Sequence, residues 1–68
     1  MEDRERLRIV LRHLIEHNEG HIEDHKRWIE MAKSNGQDEV ARLIGEANGC
    51  TEKAGNLLKE ALLLLDEK

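Results

Sequence analysis

Between Leu7 and Leu65 the apolar residues recur at helical spacing with a single clear interruption, Ser34-Asn35-Gly36-Gln37-Asp38. No proline occurs in the chain, and Leu, Ala, Glu, Lys and Arg are abundant, so intrinsic propensity favours helix on both sides of the break. The pattern predicts one helix from about Asp3 to about Ser34, a turn at about 35–37, and a second helix from about Asp38 to about Glu67. Gly36 suits the left-handed conformation that ends a helix, and Asp38 is the expected cap of the next. Asp3 is the expected cap of the first helix, with Glu5 at the positive end of its dipole.

So short a turn makes the helices antiparallel neighbours. The expected fold class is therefore all-α, a two-helix antiparallel hairpin forming a single domain over residues 1–68. With equal rise along both helices, residue i lies level with residue 71 minus i, to about a residue. That register sets Leu14 beside Leu57, Trp28 beside Leu43 and His21 beside Cys50, and brings Arg4 and Arg8 to Asp66 and Glu67.

A chain of 68 residues buries too little surface to stand easily alone and calls for a staple or a partner. Cys50 is the only cysteine, so no disulfide closes within one chain. A lone thiol behind a charged N-terminus without an apolar leader fits a reducing, cytoplasmic setting. The longest apolar run, Ala61 to Leu65, is far too short to span a membrane. The net charge of −4 opposes nucleic-acid binding, and the basic run Arg4, Arg6, Arg8, Arg12 is broken by Glu5.

The partner is expected to be a second copy. On helix one the apolar positions are Leu7, Leu11, Leu14, Ile15, Ile22, Ile29 and Ala32. Helix two carries three heptad columns: Val40, Ala47, Ala54 and Ala61; Leu43, Cys50, Leu57 and Leu64; Ile44, Thr51, Leu58 and Leu65. Three columns are wider than a two-helix seam requires, so a lone hairpin leaves part of the stripe wet. A homodimer, or a homotetramer, forming a four-helix bundle would cover it.

His13, His17, His21 and His25 follow one another at i, i+4 spacing. Such neighbours lie about 6 Å apart on a helix and can share a metal ion. Each step also drifts about 40° around the helix, so the four cannot all point one way. Two readings stand. In one, Asn18, His21 and His25 form a hydrogen-bonded polar layer that fixes register and oligomeric state. In the other, His17, His21 and His25, with Cys50 and Glu46 across the seam, bind a divalent transition metal such as Ni, Co or Zn. No enzymatic activity is expected. His17-Asn18-Glu19-Gly20-His21 has its Glu one place late for the zinc-protease helix, the inverted pattern meets Asp24 where it needs Glu, and no nucleophile has a base.

The stretch Glu16-His17-Asn18-Glu19-Gly20-His21, followed by Trp28 and by Glu39-Val40-Ala41, resembles a family of short helical-hairpin proteins of unknown function from anaerobic bacteria and archaea. The resemblance spans nearly the whole chain and implies the hairpin fold without supplying an activity. Some members occur in the context of nickel or cobalt uptake, which implies a metal without identifying its ligands.

Overall fold

A computed structural model describes residues 2–66. They form two helices, α1 (Asp3–Ser34) and α2 (Asp38–Asp66), folded back on each other as an antiparallel hairpin. The molecule is a slab one helix thick, 51 × 17 × 12 Å. The end of α2 expected at Glu67 lies outside the described residues.

The turn forms as its residues dictate. Gly36 sits at φ +74°. The Gln37 amide donates to the Ala32 carbonyl at 2.8 Å, and the Gly36 amide to that of Lys33 at 3.0 Å. This is the double bond pattern that satisfies orphan carbonyls at a helix end, and it needs a residue free to take positive φ. Gly36→Ala should therefore cost about 1 kcal/mol or somewhat more, read as a lower denaturation midpoint with an unchanged m-value.

The caps fall one residue earlier than expected. Glu2 precedes α1 in extended conformation and makes no side-chain capping bond, so Asp3 lies inside the first turn. Gln37 takes the capping place of α2, its carbonyl accepting from the Ala41 amide at 3.0 Å, and Asp38 lies inside that helix. In both cases the acid acts through the helix dipole rather than as a cap.

The seam between the helices is a heptad pairing. From α1 it takes Arg8, Leu11, Ile15, Asn18, Ile22, His25, Ile29 and Ala32, which are buried or half-buried. From α2 it takes Ala41, Asn48, Gly55 and Leu62 in one column and Ile44, Thr51, Leu58 and Leu65 in the other. Of the three columns read from the sequence, only the last faces α1. Val40, Leu43, Ala47, Cys50, Ala54, Leu57 and Leu64 are exposed instead, and Ala61 is half-buried. Leu7 and Leu14 of α1 are exposed too.

The register also differs slightly. His25 meets Asn48 and Asn18 lies over Gly55, so facing residue numbers add to 73 rather than about 71. Gly55 makes room for Asn18, whose Nδ2 lies 3.7 Å from where a Cβ would be. The expected closure of the open end is present: Arg8 Nε donates to Asp66 Oδ1 at 2.8 Å, while Glu67 lies outside the described residues. That hydrogen bond, first among the causes, raises the Arg8 pKa. On one flank Lys59 Nζ stands 3.5 Å from Glu19. Lys26–Glu23 and the pairs of Arg42 with Glu39 and Glu46 are i, i+3 or i, i+4 contacts along one helix, a kind worth about a few tenths of a kcal/mol when exposed.

Little of this chain is interior. Ala32 and Ala41 are the buried apolar residues, and Asn48 is the buried polar one, among the described residues. The hairpin is organised by its seam but has no three-dimensional core of its own.

Candidate functional site

Each helix carries a second stripe of the same period, beside the seam. On α1 it is Leu7, Leu14, His21 and Trp28 with Val10, His17, Asp24 and Met31. On α2 it is Val40, Ala47, Ala54 and Ala61 with Leu43, Cys50, Leu57 and Leu64. Heptad geometry sets this stripe about 100° around the helix from the seam. Both stripes open on the same side of the slab. At one end Leu7, Val10 and Leu14 join Ala61 and Leu64 in an apolar groove of about 540 Å³.

The composition of this face is distinctive. Asp, Glu, Lys and Arg make up 38% of the chain, yet from Leu7 onward these columns hold one of them, Asp24, with Asp3 and Arg4 at the end of the face. Asp24 is half-buried and ion-paired with Arg27 of the next turn. Large apolar side chains on the face remain open to solvent, with Trp28 at 52% and Leu64 at 64% exposure. A solvated face of a chain this charged would carry charges; this one carries leucines.

The face has leucine-rich ends and a distinct middle. His17 and His21 occupy that middle on α1, their rings perpendicular with centroids 4.4 Å apart. In the register of the seam, Cys50, Ala54 and Leu57 of α2 stand level with them on the same face. Cys50 is an exposed free thiol.

The histidine ladder divides as its drift requires. His25 turns into the seam, where its Nδ1 donates to Asn48 Oδ1 at 2.9 Å. Its ring is stacked on that of His21 at 6.1 Å, but the two belong to different faces. His13 lies away from the middle, beside Ile9, Arg12 and Glu16. Glu46 points elsewhere again and pairs with Arg42 at 2.9 Å. The sequence-derived set His17, His21, His25 and Cys50 is therefore split between face and seam. Among the described residues no group of three or more His, Cys, Asp or Glu side chains gathers to hold a metal within one chain.

A polar layer does exist in the seam, and its membership differs from the expectation. Asn18 and His25 belong to it, and His21 does not. Its buried centre is Asn48, which sequence reasoning passed over. Asn48 shares a heptad column with Ala41, Gly55 and Leu62, and that column was the available signal. Asn18 Nδ2 approaches the Thr51 carbonyl at 3.5 Å, a weak bond, and the Thr51 hydroxyl donates to the Ala47 carbonyl at 3.1 Å. No buried side-chain polar atom lacks a partner among the described residues.

The fold and this face define a class: a two-helix hairpin with one seam closed and a second left open. The chain belongs to the family described as Domain of unknown function (DUF8180), which it matches over residues 7–65. No curated protein and no solved structure matches it. Among the described residues no helix is long and apolar enough to cross a membrane.

Proposed function

We propose that the chain is a self-assembling structural module, a homodimer in which two hairpins press their open faces together into a four-helix bundle. The observation that carries this reading is the second heptad stripe, nearly free of charge in a chain that is 38% charged.

The face fits a copy of itself. Large residues at the ends meet large residues, and a middle of two rings on one helix and small side chains on the other offers bulk opposite space. Helices in four-helix bundles contact two neighbours on adjacent sides, the relation between this seam and this face. From Leu7 to Met31 the stripe runs about 36 Å at a helix's rise. With the 17 Å width of the slab, two copies would cover roughly 1,200 Å² in all, the lower edge of stable interfaces. Each large side chain moved from half-exposed to buried contributes on the order of 1 kcal/mol, and the face holds nine per copy: Leu7, Val10, Leu14, Trp28, Met31, Val40, Leu43, Leu57 and Leu64.

Sedimentation equilibrium at micromolar concentration tests the reading. The expected particle has twice the 7.9 kDa chain mass. Trp28 supplies a second readout, because its emission should shift to the red as dilution releases the face to water. A cooperative, fully folded monomer across that range would overturn the proposal.

A further inference from the structure

Resting on that assembly, we infer that His17 and His21 of two copies build one transition-metal site at the centre of the bundle. The open face of α1 runs from Leu7 to Met31, and its midpoint is position 19, which His17 and His21 bracket at equal distance. Two-fold dimers that overlap their faces fully have an axis either along the bundle or across it at mid-height. Both operations return the histidine layer to its own level, so four imidazoles share one layer whichever axis applies.

Reach is sufficient in both cases. Facing helix axes lie about 8–10 Å apart, which makes diagonal ones roughly 14 Å apart in a square bundle. An imidazole nitrogen stands about 6–7 Å from its own helix axis, given a Cα radius near 2.3 Å. The rings of one chain already adjoin at 4.4 Å, and both are exposed before assembly. An i, i+4 pair supplies two ligands of a first-row divalent ion, and its two-fold mate supplies the other two. One chain alone offers no third donor there, so the site is incomplete without the partner. The surrounding leucine layers would keep it shielded from water.

Calorimetric titration of the tag-free protein with Zn²⁺ and with Ni²⁺, paired with sedimentation at each metal level, tests this. The expected stoichiometry is one ion for two chains, with the dimer stabilised in proportion to free metal. His17→Ala and His21→Ala should each weaken uptake at least about 100-fold, since loss of even an outer-shell partner costs 10- to 100-fold. His13→Ala should leave uptake unchanged, and circular dichroism checks that every variant remains helical. A metal-free dimer that takes up no ion at millimolar metal would overturn the inference and leave the assembly intact. One ion per chain, or uptake indifferent to His17→Ala, would overturn it as well. A monomer at every metal level would overturn the assembly and this inference together.

Discussion

Leu57→Glu should convert the proposed dimer to monomer, while Leu63→Glu should leave it assembled. The two leucines are equally exposed in the hairpin, 59% and 61%, so their surroundings within one chain predict equal tolerance. They differ in column. Leu57 stands on the open face with Leu43 and Leu64, whereas Leu63 follows Asn56 and Gly49 on the opposite side. A dimer carries the substitution twice, and each copy forfeits on the order of 1 kcal/mol of leucine burial and adds at least about 1 kcal/mol for desolvating a carboxylate. The sum is at least about 4 kcal/mol, which is about a thousandfold in dissociation constant. Light scattering across a dilution series reads the difference. Equal dissociation of both variants, or of neither, would show that this face is not the contact.

The contrast between these leucines also marks what could be read from the sequence. The hairpin was fully legible, because Gly36 stands in the only break and no proline competes with it. The width of the apolar stripe on α2 was legible too, and α1 covers only part of it. Which part of the stripe faces α1 was not. Periodicity identifies columns but does not say what covers them. The more apolar columns, those of Leu43 and Val40, looked like the better seam, yet the seam takes Ala41, Asn48 and Gly55, small or polar residues that let the helices approach. The slip is a single residue, and it moves His21 and Cys50 from the seam to the open face. The splitting of the histidine ladder followed from helix geometry; the member that enters the seam depended on Asn48, a contact across 23 residues of chain.

Asn48→Ala should lower stability by about 1–3 kcal/mol, because it leaves the half-buried Nδ1–H of His25 without its acceptor. In a domain this small that corresponds to a fall in melting temperature of roughly 4–20 °C. The double change His25→Leu with Asn48→Leu should recover most of the loss or exceed wild type, since apolar groups of similar volume commonly replace a buried polar pair without cost. Stability and specificity then separate. Wild-type seam columns repeat every seven residues, and Ile22, Ile29 and Ile44 flank the pair, so a seam left with only the weak Asn18–Thr51 contact in its middle would tolerate neighbouring registers more readily than the native one. The His25–Asn48 bond penalises those registers, because any slip buries both groups unpaired. The double variant is thus expected to melt high but to give broadened, heterogeneous amide spectra, and its coupling energy in a double-mutant cycle should lie near 1–3 kcal/mol. An Asn48→Ala protein that melts with the wild type would show that the pair sets neither stability nor register. Because the open face inherits its alignment from the seam, a slipped hairpin would also set the histidine layer out of step with Cys50 and Ala54. The seam pair and the assembly are linked in that sense: the double variant should form a dimer more weakly than its melting temperature alone would suggest.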